Sequence, residues 1–468
     1  NFASQLAGKA VAGTLELHLN NNDDRFSSFN TSSPLTGLIL PKRKVRMTSI
    51  SPQNGSIWHG EIDRVTTGID RRGKKTAKLY AIGALGSFPD DPVDVAMNTT
   101  IRTGAAMTAI MTAAGWATAD RNIDTGQYTM PRWWVPGLLP LTAMRQVADT
   151  EAGFIRESHK LGNRIAFEDR HHRMQGAHLY TQAQFSDSAS GVEFDSSAPF
   201  GHSDPTKNVF NHFKALVRDY TVAGASDLWV LKQEPIIPPG ETYEFWVDVP
   251  SQGSEESSNI IGVNAWTTMV AGTHWTGGST AGATDVNGSL TVAITGFSTA
   301  ARITVQNTSA APVYLSLLKA NGTLVTENDP VSVVQEDSAS ITKYRTKKFE
   351  RGDSAKWIGE ILEARNWALF QLAIYKDPTP ILRLNTVANV SLYAYRDAII
   401  RDVSDRVSVD GRAKGFGINE GFFVEAIEFS MGKDRILEMS YDLSPAAGFS
   451  EFWVLGYGAL GAGTRLGY

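Results

Sequence analysis

The sequence predicts a mainly β protein with α+β portions. Three observations carry this. Short runs alternate apolar with polar residues, as Leu15, Leu17 and Leu19 do against Glu16 and His18. The 42 glycines, with many Ser, Thr and Asn, supply turn chemistry between such runs. Helical spacing is confined to three stretches, near residues 101–114, 141–153 and 353–375.

Bulk properties narrow the classes further. A chain of 468 residues exceeds one ordinary core and implies roughly two to four domains. Apolar content of 42% with 20% charged residues describes a folded, soluble protein. A net charge of -5 gives no case for non-specific nucleic-acid binding. There is no Cys, which excludes disulfides and thiolate metal sites. That composition suits a particle built in a reducing cytoplasm and later exposed outside it. No apolar run reaches the roughly 18 residues of a membrane span, and no signal peptide is visible. The sequence opens at Asn1 within an already structured pattern, so residues upstream are expected.

Residues 1–88 read as a first β-barrel-like module. Gly13 to Met47 gives a strand, a polar Asn- and Asp-rich corner, a Ser-Pro turn and a second strand after Lys42, Arg43 and Lys44. Ser56 to Val65 and Lys78 to Gly83 continue the sheet, with Asp70 to Gly73 as a turn. Residues 89–172 read as an α/β module. Ala105, Ala106, Ala109, Ile110 and Ala113 mark one helix stopped by Gly115; Leu141, Met144, Val147 and Ala148 mark a second ending at Gly153. Gly153 to Glu157 and Arg164 to Asp169 form a hairpin. Residues 173–236 and 331–468 read as a second β-barrel module with one helix. Its strands are expected at 215–220, 228–231, 381–384, 403–409, 422–428 and 435–439. Residues 336–349 read as extended. Asp353 is the expected N-cap of the helix, with Trp357, Ile361, Ala364, Ala368 and Leu372 along one stripe.

Residues 237–330 are rich in Gly, Ser, Thr, Ala and Val, with strands expected at 244–249, 289–294, 301–306 and 313–318. This spacing predicts an inserted immunoglobulin-like β-sandwich. Trp266, His274 and Trp275 are its candidate glycan contacts; the alternative is that they fill its core.

The densest polar constellation is Asp169, Arg170, His171, His172 and Arg173. Adjacent strand residues face apart, so the two histidines are poorly placed to chelate one ion. An interface or ion-pair cluster is expected there in preference to metal or catalysis. Arg351-Gly352-Asp353 matches a cell-adhesion tripeptide, which chance often produces. No phosphate loop, Gly-x-Ser-x-Gly elbow, His-Glu-x-x-His helix or calcium loop is present. No catalytic site, cofactor or metal is assigned.

Several long stretches resemble the baseplate or tail-tip hub family of tailed bacteriophages. They are GTLELHLNNNDDRFSSFNTSSPLTGLILPKRKVRM, WHGEIDRV, RTGAAMTAIMTAAGW, DTGQYTMPRWW, GNRIAFEDRHHR, RDVSDRVSVD and EGFFVEAIEFSMG. The resemblance covers most of 1–180 and 330–445 and is weakest over the inserted sandwich. It implies two tail-tube-like β-barrel modules per chain and a homotrimeric ring matching a hexameric tube. It also implies a virion location at the distal end of the tail, after assembly in the host bacterial cytoplasm. The implied partners are the distal tail protein, the tape measure protein and tail fibre or tip proteins. Phage DNA would pass through an acidic or neutral lumen without specific binding. Two alternatives stand beside this structural, non-enzymatic hub: a receptor- or glycan-binding tail component acting through the sandwich, and a tail-associated cell-wall hydrolase.

Overall fold

The computed structural model describes residues 11–468 apart from 28, 159, 161, 189–190, 195–200, 203–207, 250–259, 350–354, 379–380, 454–464 and 467–468. The chain is mainly β, with 46% strand and 19% helix.

Strands β1 (Thr14–Asn20), β2 (Lys44–Ser49), β3 (Gly55–Ile69) and β4 (Lys75–Ile82) form an antiparallel sheet in the order β1-β4-β3-β2. Its alternation is as expected. Leu15, Trp58, Ile62, Leu79 and Ala81 make a small core on one face. The first half of β3 pairs with β2 and the second half with β4, so β3 carries the curvature. Among the described residues, β1 pairs only with β4 and β2 only with β3. The sheet therefore has two open edges.

The next segment holds β5 (Val93–Arg102), the Thr103–Ala113 helix, β6 (Arg121–Ile123), β7 (Thr129–Leu138), the Pro140–Glu151 helix, β8 (Phe154–Ser158) and β9 (Arg164–Glu168). β5 pairs with β7, and β6 and β8 flank β9. Both expected helices and the hairpin lie within two residues of their expected bounds. The largest core surrounds them and draws in the Ile361–Tyr375 helix and Trp133, Trp134, Trp357 and Trp367. The rings of Trp134 and Trp357 meet edge-on at 4.7 Å.

A seven-stranded sheet follows in the order β11-β10-β25-β26-β27-β24-β12. Its strands are β10 (Ala183–Ser186), β11 (Val192–Glu193), β12 (Gly201–His202), β24 (Leu382–Val387), β25 (Arg406–Asp410), β26 (Asn419–Met431) and β27 (Leu437–Pro445). Alternate residues such as Phe185, Val407, Val409, Phe422, Leu384 and Tyr441 point to one enclosed core. Thr386 on β24 donates through its hydroxyl to the Glu193 carbonyl on β11 at 2.9 Å. That contact brings the ends of the sheet together, and the sheet is nearly closed and barrel-like. The Leu392–Ile400 helix packs Ala394 and Ala398 into the same core.

Between β13 (His212–Val217) and β22 (Val331–Glu336), which pair with each other, the chain makes two facing sheets. One is built on the long β21 (Val313–Glu327). β14 (Tyr220–Val230) and β17 (Ile260–Trp266) flank one half of it; β15 (Ile236–Ile237) and β18 (Trp275–Gly278) flank the other. The second sheet is β16 (Thr242–Asp248), β20 (Ala300–Asn307) and β19 (Leu290–Gly296). Val247, Ile303, Val305, Leu315 and Leu318 fill the space between them.

Four local expectations need correction. Residues 336–349 are not extended throughout. Asp337 accepts a hydrogen bond from the Ser340 N–H at 2.8 Å and caps the Ser338–Tyr344 helix. The long helix begins at Ile361, with Glu360 at the N-cap, and Asp353 lies outside the described residues together with Arg351 and Gly352. Its buried side is broad, spanning Ala364, Trp367, Ala368, Phe370 and Leu372, whereas Ile361 is exposed and Trp357 precedes the helix. The Leu392–Ile400 helix was not expected; Ser391 caps it by accepting from the Ala394 N–H at 3.0 Å.

Candidate functional site

The polar cluster sits where the α/β segment meets the seven-stranded sheet. β9 ends at Glu168, and the chain then turns through a single 3-10 turn at His172–Met174. Asp169 makes the turn: its Oδ1 accepts from the His171 N–H at 2.9 Å and its carbonyl accepts from the His172 N–H at 3.1 Å. The expectation that His171 and His172 lie on a strand facing apart is therefore wrong, because Asx-turn chemistry ended the strand first.

The turn points two arginines at distant carboxylates, and a third reaches the cluster from β8. Arg170 donates from Nε to Glu151 at 3.0 Å and from Nη2 to Glu363 at 2.5 Å. It ties the ends of two helices together from a fully buried position. Arg173 grips Glu425 with two bonds, at 2.5 and 2.9 Å, and donates to Ser404 Oγ at 3.2 Å. Its guanidinium also lies over Phe154 at 4.3 Å and Phe423 at 5.0 Å. Glu425 is available because a bulge in β26 between Val424 and Ala426 breaks the register there. Arg156, from β8, bonds to Glu168 and reaches Asp402 at 3.3 Å.

Glu168 is the hub of this network. It is 1% exposed, contacts Arg156, and accepts from Ser404 Oγ at 2.5 Å. Burial alone would push its carboxyl up, but Arg156, His172 and Arg173 together draw it down to about 2. His172 donates from Nδ1 to the Asp124 carboxylate at 2.8 Å and sets Nε2 3.4 Å from Glu168. Burial opposes the imidazolium, yet the Asp124 bond and the Glu168 charge raise its pKa above the ordinary value. His178, with its ring 4.7 Å from that of His172, is lowered by burial and by its neighbour's charge.

The arrangement is closed. Each cation is matched to a carboxylate, and the described residues hold no group of three or more His, Asp or Glu set for a metal ion. Chemically, the network fixes orientation between the hairpin, two helices and the seven-stranded sheet. An open cleft of about 380 Å³ lies beside it at the start of the Thr103–Ala113 helix, lined by Arg102, Thr108 and Asp124, the last also the partner of His172.

The structure brings Asp169, Arg170, His171, His172 and Arg173 together as one turn. Their partners Glu151, Glu363, Ser404 and Glu425 come from segments up to 252 residues away and were missed by sequence reasoning. No local spacing links such pairs. The sandwich residues lie elsewhere. His274 and Trp275 are buried, and His274 Nδ1 accepts from the Val270 N–H at 3.0 Å. Trp266 is half-buried and donates its indole N–H to the Phe297 carbonyl at 3.0 Å.

No protein-family model matches the chain, and no curated protein matches it. Among solved structures, it is similar to phage tail proteins. The 43 kDa tail protein of prophage MuSo2 from Shewanella oneidensis aligns over 95% of this chain and 92% of that one, at 10% identity and a TM-score of 0.47. A tail protein from Neisseria meningitidis MC58 aligns over 86% and 90%, at 11% identity and a TM-score of 0.41. A type VI secretion system component from E. coli, described as structurally similar to T4 bacteriophage tail proteins, aligns over 97% and 74%, at 7% identity and a TM-score of 0.41.

Proposed function

We propose that this chain is a structural hub at the distal end of a phage tail. Three copies form a ring that joins the tail tube to distal tip or fibre proteins and surrounds the path of exiting DNA. Residues 1–88 supply one barrel module. Within 173–236 and 331–468, strands β10–β12 and β24–β27 supply the second, nearly closed module, and 89–172 hold the two in fixed orientation. The sandwich of 237–330, together with β14, is an insertion.

The observation that carries this reading is the open edge of β1. Gly83 N–H bonds to the Gly13 carbonyl and Asn21 N–H to the Lys75 carbonyl, so the odd residues of β1 face β4. Thr14, Glu16, His18 and Asn20 then direct their backbone groups to the free edge. A row of donors and acceptors that no described residue pairs with, beside a small core, favours pairing with another chain, and closed rotational symmetry provides one. The ion-pair cluster supports the same role, since it stiffens the module junction.

The test is His18→Pro. Proline removes an N–H that no described residue accepts from and leaves the β1–β4 ladder intact. Sedimentation is expected to show a folded monomer in place of a trimer. A trimer that survives the substitution, with β1 in place, contradicts edge sharing.

A further inference from the structure

We infer that the outward face of the β16–β20–β19 sheet binds a neutral glycan chain, with Trp246 as the stacking platform. This site is distinct from Trp266, His274 and Trp275 and does not depend on the ring.

Trp246 alternates with Phe245 and Val247, which face the sandwich core, so its indole faces out and is 57% exposed. It stacks on Phe297 with centroids 5.6 Å apart and planes 18° from parallel. The pair is held from behind. Trp266 bonds to the Phe297 carbonyl, and a Cβ on Gly296 would strike the Trp266 ring at 2.3 Å. Next to it, Ser298 donates from its N–H and hydroxyl to Asp94 on β5, both at 2.8 Å. The platform is thus fixed before any ligand arrives.

The residues around the indole are polar. Arg302 is its cross-strand partner, Glu244 and Asp248 sit two positions away along β16, and Thr295 pairs with Arg302 on the far side. Glu244 and Arg302 stand 3.6 Å apart, half-exposed. One flat aromatic ringed by donors and acceptors matches a pyranose, whose C–H face stacks on an indole while its hydroxyls bond outward. A protein partner would want several apolar anchors, and this face has one aromatic pair among Thr, Gln, Glu, Asp and Arg. Two carboxylates against one guanidinium leave the face slightly acidic, so its charge complements neutral sugars and disfavours uronic or sialic acids.

The experiment is isothermal titration of the full chain with chitohexaose, maltohexaose and cellohexaose, with polygalacturonate as the acidic arm. At least one neutral oligosaccharide is expected to bind, and Trp246→Ala to weaken it by about tenfold or more. Arg302→Gln, which keeps the platform, is expected to weaken it less. Sedimentation of Trp246→Ala should match that of the unaltered chain, so loss of sugar binding is separable from loss of the ring. Absence of binding to all three neutral sugars, equal binding by Trp246→Ala, or preference for polygalacturonate overturns the inference.

Discussion

Replacing Arg173 with Met tests whether the buried cluster holds the module junction. Methionine keeps the apolar stem between Phe154 and Phe423 but removes the guanidinium that holds Glu425. Glu425 then keeps the Ser444 hydroxyl but loses the guanidinium that makes two bonds to it. Removing one partner of a buried pair costs about 3–5 kcal/mol. With a urea m-value of about 3 kcal/mol/M, the unfolding midpoint falls by about 1–1.7 M. Adding Glu425→Gln to Arg173→Met removes the buried charge that the guanidinium had balanced, so the double variant should recover at least half of the loss. Urea unfolding followed by tryptophan fluorescence reads all three proteins. A change of about 0.5 kcal/mol or less for Arg173→Met, as for exposed pairs, refutes the reasoning. So does a double variant no more stable than the single one.

Acid should loosen the same junction. The Glu168 carboxyl titrates at about 2 in the folded chain against an ordinary 4.5, so its contribution is complete above about 4.5 and is lost as the pH falls through about 2. Glu168→Gln should flatten the pH dependence of the urea midpoint across that window. His172 runs the opposite way. Its raised pKa makes its contribution complete below 6.5 and lost as the pH rises through the folded value, and an NMR titration of its ring should give a midpoint above 6.5. Gly104→Ala should destabilise the Thr103–Ala113 helix by about 2 kcal/mol or more, because the new Cβ would lie 2.0 Å from the Asp124 carbonyl oxygen. Thermal unfolding checks this, and an unchanged midpoint would show that the backbone at Asp124 yields freely.

Much of the β framework was legible because one face of each strand is buried. Leu15, Leu17 and Leu19 in β1 and Val407 and Val409 in β25 show the period-2 pattern openly. The Leu392–Ile400 helix was missed although Ser391 is a good N-cap, because LYAYRDAII offers apolar residues on nearly every side. The Ser338–Tyr344 helix is too short for periodicity to declare, and its cap at Asp337 was the readable signal. In the cluster, DRHHR announced a polar constellation by composition alone. Its geometry depends on Glu363, Ser404 and Glu425, which folding brings from remote strands and helices. Trp246 was hidden in Tyr-Glu-Phe-Trp-Val, where an outward aromatic sits between two inward apolar residues, Phe245 and Val247.

Imaging the assembled particle, or the purified oligomer, by electron cryo-microscopy tests the proposed ring most directly. The expected map has three copies about the tail axis, with the free edge of β1 within about 5 Å of a strand from a sister chain, the ordinary spacing of paired strands. A map in which each subunit stands alone, its β1 edge meeting only solvent, would contradict the proposal.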